Sequence, residues 1–408
     1  MRVRMPLVIG ALVVGLGQVA PVAADVSGGT PDDPLWERQW GPRQVTADQA
    51  WATSTGEGST IAILDCGVDL DHEDLAANVV GGYDATTDGG DGDWDPDGDG
   101  EGCAHGTHVA GIAAAVGDNA TGIVGVAPDA GILSVRVLGD DGSGSFEDIA
   151  EGIRWATAHG ADVINMSLGV IPGGQVLSLT GNDEGVYDAI AEAHAAGVVV
   201  VAAAGNESFP VCDDPAFAPG VLCTTATDRR EAHTWYSNGG LNSELLAVAA
   251  PGGAGTLLAC GEEILSTVPE GSSFEDCDSG PNYEELFWFG TSMAAPHTAG
   301  AAGLLTSLGC TRGQTLDLIT STARTPVTGE PRGVFDPVYG YGIVDAAAAV
   351  QGATSTCAGA STTDGGGTDD GTRAPGRSGD HRPSDGDRRG HPNADADADA
   401  NDHRTHPG

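Results

Sequence analysis

Not one of the 408 residues is lysine, so apart from histidine the basic side chains are all arginine. Seventeen basic residues stand against 59 acidic ones, a formal net charge of −42. A surface this negative repels phosphate backbones and anionic lipid heads, which makes nucleic acid and anionic membranes poor partners. Cations are the favoured company, and the charge itself reads as solubility in a salty or calcium-containing medium. Long apolar runs are lacking as well. Residues 7–16 form a short apolar stretch behind Met1-Arg2-Val3-Arg4, too short to span a bilayer, and Val22-Ala23-Ala24 before Asp25 suits a signal-peptidase cut. Residues 1–24 are therefore expected to be a signal peptide, and the mature protein a secreted or extracytoplasmic monomer without a transmembrane anchor. The eight cysteines agree with an oxidising compartment.

What is present is a rhythm. Apolar runs at 60–64, 132–138, 162–166, 198–203 and 245–249 read as buried strands, and helical patterns at 105–116, 146–159 and 184–196 lie between them. Such alternation predicts an α/β fold in three layers, with a mainly parallel central β-sheet and helices on both faces. A Gly/Asp-rich insert at 84–102 interrupts it. The ordered domain is expected over 25–357, closing with a helix at 345–350 and Cys357. Residues 358–408 are rich in Gly, Asp, Arg and Pro, too poor in apolar side chains to offset the entropy of ordering, and are expected to be a disordered tail.

Four polar positions stand out against this frame. Gly290-Thr291-Ser292-Met293-Ala294-Ala295-Pro296-His297 runs into a small-residue apolar segment, which places Ser292 at the start of a buried helix, where orphan N–H groups and the positive end of the helix dipole point outward. Asp65 ends the first strand, His105 opens a helix in His-Gly-Thr-His-Val-Ala-Gly, and Asn206 follows a strand in Ala-Ala-Ala-Gly-Asn. Taken singly, each has a structural alternative: Ser292 and His105 as helix caps, Asp65 as a turn former and Asn206 as a left-handed turn residue. Together they fill the roles that acyl transfer by serine requires, which are a nucleophile, a base, a carboxylate that orients the base and an oxyanion donor. His105 and His108 lack the His-Glu-x-x-His pattern and carry no spaced Cys or carboxylate partner, which argues against zinc.

In the order Asp, His, Asn, Ser these segments resemble the subtilisin-like serine proteases, or subtilases, over about residues 34–350. The resemblance implies Ser292 as nucleophile, His105 as general base and then acid, Asp65 as its orienting carboxylate, and an oxyanion hole made by the Asn206 side chain and the Ser292 N–H. It implies polypeptide substrates held as an added strand between Ser143-Gly144 and Ser167-Leu168-Gly169. Asp213 or Asp214 would lie near the base of the pocket for the residue before the scissile bond and favour Arg or Lys there. Structural calcium, with no organic cofactor, is implied at Asp33, Asp74 and Asn119 with carbonyls near Gly117, Thr121 and Ile123. The alternating acids Asp95, Asp97 and Asp99 resemble the start of a second calcium loop but lack the distal Glu of an EF-hand, and a merely solvated acidic loop stays open as the alternative. If the fold holds, Cys66 approaches Cys103 and a bridge there would brace Asp65 and His105. Cys212 with Cys223, Cys260 with Cys277 and Cys310 with Cys357 are the other candidate pairs, although eight cysteines allow 105 connectivities. The stretch between residues 24 and 34 leaves no room for an inhibitory pro-domain. The implied function is a secreted serine endopeptidase stabilised by calcium and disulfides, and the alternative is an idle copy of the fold kept as a binding scaffold.

Overall fold

The computed structural model describes residues 30–357 apart from 88, 96–101, 170–183, 242, 257–258 and 274–276. The expected signal peptide (1–24), the expected tail (358–408) and the calcium candidates Asp97 and Asp99 lie outside the described residues.

Strand β1, Thr60–Asp65, shows what dictates the architecture. Ile61 and Ile63 enter one apolar cluster while Ala62 and Leu64 enter another, and all four are fully buried. A strand apolar on both faces must be covered on both faces. It sits in a seven-stranded sheet with β2 (Val79–Asp84), β3 (Gly131–Arg136), β4 (Val163–Met166), β5 (Val199–Ala203), β6 (Leu222–Thr227) and β7 (Leu246–Pro251). The order is β2-β3-β1-β4-β5-β6-β7 and every neighbouring pair is parallel. A separate antiparallel pair joins β8 (Ser266–Thr267) to β9 (Tyr283–Glu284).

Short helices α1 (Gly41–Gln44) and α2 (Ala47–Ala50) occupy the N-terminal segment. Helices α4 (Phe146–Ala158) and α5 (Glu184–Ala195) cover one face, contributing Ile149, Ile153, Ala189 and Ile190 to the cluster of Ala62 and Leu64. The other face carries α3 (His105–Ala114), α6 (Thr291–Thr306), α7 (Arg312–Thr322) and α8 (Ala346–Thr356). Helix α6 is buried on nearly every side. Its small residues make this possible: a Cβ on Gly300 would meet Val126 Cβ at 2.6 Å and the Ala113 carbonyl oxygen at 3.0 Å.

The sequence pattern misses β2, β6 and α7. Strand β2 contains Gly81 and Gly82 and is only partly buried, so it shows no apolar run, while β6 (Leu-Cys-Thr-Thr-Ala-Thr) buries its threonines completely. Helix α7 has a capping box between Thr311 and Gln314 but few apolar residues. Helix α8 also runs past the expected 345–350, to Thr356. Four disulfides link Cys66 to Cys103, Cys212 to Cys223, Cys260 to Cys277 and Cys310 to Cys357, and no cysteine is free. Among the described residues, no helix is long and apolar enough to cross a membrane.

Close packing of α6 sets a test of the core. Gly300→Ala is expected to lower the free energy of unfolding by about 1–3 kcal/mol through overpacking. Gly303→Ala, whose added methyl meets the end of the Ile61 side chain at 3.0 Å and Ala127 Cβ at 3.6 Å, is expected to cost less. Denaturant unfolding of the two variants checks the order.

Candidate active site

Strand order reverses around β1, whose neighbours are β3 on one side and β4 on the other. A crevice opens at the carboxyl ends of the strands where such a sheet changes winding direction. Asp65 is the last residue of β1 and Gly67 turns the chain away at φ +101°, a conformation that favours glycine. Helix α3 starts opposite, and Gly106 lets it come close, since a Cβ there would lie 2.1 Å from the Gly67 carbonyl oxygen and 3.1 Å from Asp65 Cβ. This contact delivers His105 to the carboxylate. Its Nδ1 lies 2.8 Å from Asp65 Oδ1 and 3.0 Å from Oδ2. Asp65 is wholly buried while 29% of the His105 side chain is exposed, so the imidazole bridges the interior and the crevice. The Cys66 N–H donates to Asp65 Oδ1 at 2.9 Å and fixes the carboxylate from its own backbone.

Burial opposes the imidazolium of His105, but the charge and hydrogen bond of Asp65 outweigh it, and its pKa is raised above the ordinary 6.5. The pair thus stabilises the fold below the ordinary imidazole range, and that contribution fades as pH rises through the raised value. His108, one turn on, is the opposite case. It is buried, stacks on Trp288 at 4.3 Å and directs Nε2 at the carbonyls of Ile264 and Glu284. Burial first, then the neighbouring His105, lowers its pKa to about 3. His297 is likewise lowered to about 4 by burial.

Ser292 is the second residue of α6, half-buried at the crevice edge. Pro296, four residues on, has no N–H to give the Ser292 carbonyl. That carbonyl accepts the Ser167 hydroxyl at 2.7 Å instead, Asn165 Nδ2 supports the same hydroxyl at 3.0 Å, and the Ser292 hydroxyl donates to the Ser167 carbonyl at 3.1 Å. Among the described residues no hydrogen bond joins His105 to Ser292 in this resting geometry, which is common before substrate tightens a site. Asn206 Oδ1 accepts from the Thr291 N–H (2.9 Å) and hydroxyl (3.1 Å), which turns its Nδ2 the other way. A methyl built on Gly290 would lie 3.6 Å from Asn206 Nδ2, Asn206 Oδ1 and the Ser292 N alike, so the Asn206 amide and the Ser292 N–H border one space. Among the described residues the Ser292 N–H has no acceptor.

Ser143 and Gly144 lie in an exposed turn after β3, and Ser167, Leu168 and Gly169 follow β4. Since β3 and β4 flank β1, the two segments leave the sheet on either side of Asp65. Asp213 and Asp214 are buried, and the Asp213 N–H donates to the carbonyl of Ala204, two residues before Asn206. A Cβ on Gly205 would meet Asn238 Nδ2, Asp213 Oδ2 and Glu207 Oε2, all within 2.7 Å, and one on Gly169 would lie 3.7 Å from the Asp214 carbonyl oxygen. Burial first, then the hydrogen bond and charge of Glu207, push Asp213 up to about 8. Asp214 accepts a hydrogen bond from the Tyr187 hydroxyl. The sequence reading overlooks Glu207, Tyr187 and Asn165, although Glu207 directly follows Asn206 and Asn165 is the polar residue within an apolar strand.

The expected calcium residues gather at the other end of α3. Asp74 accepts from Asn119 Nδ2 (2.8 Å) and from the Ile123 N–H (2.9 Å), and burial raises its pKa to about 7. Thr121 N–H donates to Asn119 Oδ1 at 2.7 Å, and Gly117 packs against Val124 and Pro128. Asp33 Oδ2 accepts the Asp118 N–H at 3.0 Å, whereas its Oδ1 is buried without a hydrogen-bond partner. Asp32, Asp33 and Asp118 bring carboxylate oxygens within 4.8 Å of one another, and the sequence reading omits Asp32 and Asp118. Asp95 donates its N–H to Asp93 in the acidic insert.

The subtilase family model matches residues 56–342. Thermitase of Thermoactinomyces vulgaris is 42% identical over 281 residues, which cover 69% of this chain and 86% of thermitase. The halolysin-like extracellular serine protease Nep of Natrialba magadii is 37% identical over 328 residues, 78% of this chain and 52% of Nep. The solved structure of a protease from Pseudoalteromonas arctica superposes with a TM-score of 0.63 at 34% identity, covering 80% of this chain and 100% of that one.

Titration of the histidine rings followed by NMR checks the electrostatics. His105 is expected to titrate above 6.5 in the wild type and at lower pH in Asp65→Asn, where burial acts without the compensating charge. His108 and His297 are expected to stay neutral from about pH 5 upward.

Proposed function

Because the chain belongs to the subtilase family and is a subtilisin-like serine endopeptidase, we propose that Ser292, His105 and Asp65 act as its nucleophile, base and orienting carboxylate. The observation that carries this reading is the position of His105, held through Nδ1 by a buried carboxylate while part of its ring stays exposed. Polypeptide lies as an added strand along Ser167, Leu168 and Gly169 with Ser143 and Gly144 opposite. His105 Nε2 takes the Ser292 proton as Oγ attacks the scissile carbonyl, and Asp65 keeps Nδ1 protonated and steadies the imidazolium. The oxyanion is met by Asn206 Nδ2 and the Ser292 N–H. His105 then returns the proton to the leaving amine, and water releases the acyl group by the same route in reverse.

The Glu207, Asp213 and Asp214 carboxyls line the pocket for the residue before the scissile bond and favour Arg or Lys. Asp213 is mostly protonated at neutral pH, so this preference grows as pH rises through about 8. Calcium stabilises the domain, with Asp33 the carboxylate that has spare capacity and Asp32 and Asp118 its neighbours, while Asp74 and Asn119 shape the adjoining loop. Hard oxygen donors of this kind suit calcium. The mature domain spans 25–357, is exported by residues 1–24 and works outside the cytoplasm; the relative Nep is named an extracellular protease.

Digestion of an unfolded protein mixture, with cleavage sites read by mass spectrometry, tests the reading. Ser292→Ala is expected to lose turnover by about 10⁶-fold, and Asn206→Ala by about 100- to 1000-fold, the loss that removing one such donor causes in a subtilisin. Cuts that persist unchanged in Ser292→Ala would overturn it. A second measurement addresses the ion: added calcium is expected to raise the thermal midpoint of the wild type, and Asp33→Asn to abolish most of that rise.

A further inference from the structure

Asp65 and His105 sit on separate elements, the end of β1 and the start of α3. Helix α3 begins with Ala104 as its N-cap and has no side-chain cap hydrogen bond, so nothing of the usual kind secures its first turn. The Cys66–Cys103 disulfide lies across this gap. One half follows Asp65 directly and the other precedes His105 by two residues. On the strand side Cys66 is fully buried and fixed twice more: its N–H holds Asp65 Oδ1 at 2.9 Å and its carbonyl accepts Arg136 Nη1 at 2.6 Å. On the helix side Cys103 is half-buried, so the bridge is reachable from the crevice. The other three disulfides flank neither residue.

We propose that the Cys66–Cys103 disulfide is the positioning device for the Asp65–His105 pair, and that its reduction by a small dithiol slows turnover without unfolding the protein. This rests on the catalytic reading above. In the reductive step one thiolate of the dithiol attacks a bridge sulfur, a mixed disulfide forms, and the second thiol displaces the remaining cysteine. Two cysteine thiols result and the dithiol leaves as a cyclic disulfide, two electrons and two protons having passed to the protein. The start of α3 then frays, His105 drifts from Asp65, and its pKa falls because burial remains while the compensating charge recedes.

The test pairs Cys66→Ala/Cys103→Ala with Cys310→Ala/Cys357→Ala, a bridge between the end region of α6 and the end of α8. The first double variant is expected to lose about 100-fold in kcat, the scale of a 1 Å misplacement, with KM for a peptide substrate little changed and the acidic limb of the pH–rate profile moved to lower pH. The second is expected to lose thermal stability and leave that limb where it was. Should the first variant fail to fold, native wild type is treated with dithiothreitol, opened thiols are mapped by alkylation and mass spectrometry, and activity is followed against the fraction open at 66 and 103. Activity that falls with that fraction and returns on reoxidation supports the proposal. An unchanged kcat and limb with the bridge shown open overturn it, provided Ser292→Ala is inactive. If Ser292→Ala is still active, the catalytic reading itself has failed.

Discussion

A fully buried carboxylate is among the costliest groups a fold can carry, and the crevice is built around one. Asp65 stays inside because it is met by the His105 imidazole and by the N–H of its own neighbour. Meeting both at once demands that a strand end and a helix start approach to within a glycine's width, which Gly67 and Gly106 allow and any larger residue at 106 would forbid. Breaking either contact would leave a buried charge short of partners, so the arrangement is tight for reasons of stability as well as geometry.

The serine side of the crevice depends on a defect placed within a helix. Pro296 withdraws one backbone donor from α6, and the carbonyl it releases is that of Ser292 itself. Ser167, at the end of β4, supplies the missing hydrogen bond and ties the segment proposed to hold substrate to the proposed nucleophile. A regular helix would have satisfied that carbonyl internally and left the two elements unlinked. The small residues of α6 serve the same end, since only a slender helix can lie deep enough against the sheet to present its first turn at the strand ends.

Charge is distributed unevenly for physical reasons. His108 and His297 are kept neutral by burial, whereas His105, which faces a carboxylate, is held above the ordinary imidazole value. Acids gather instead where the chain before α1 meets the loop between α3 and β3, around Asp33, and at Asp213, which Glu207 crowds. A chain without lysine has few cations of its own; calcium is proposed at the first cluster and a basic substrate side chain at the second.

Much of this was legible in the residues alone. The parallel strands announce themselves as apolar runs ending in Asp65, Ser167 and Gly205, because burial on both faces removes any alternation. The Ser292 and His105 segments carry enough glycine and alanine to betray a close-packed helix start. Strands β2 and β6 did not show, since glycine and threonine make no apolar signal and their burial comes from neighbours distant in sequence. Nor could spacing tell that Asp32 and Asp118 share a corner with Asp33, that Glu207 presses on Asp213, or which of 105 cysteine pairings forms. Local pattern determined the elements and the chemistry-bearing side chains, because periodicity and turn chemistry act over a few residues. Tertiary packing decided which groups meet and at what pKa, because burial and charge act through space between segments that only the fold brings together.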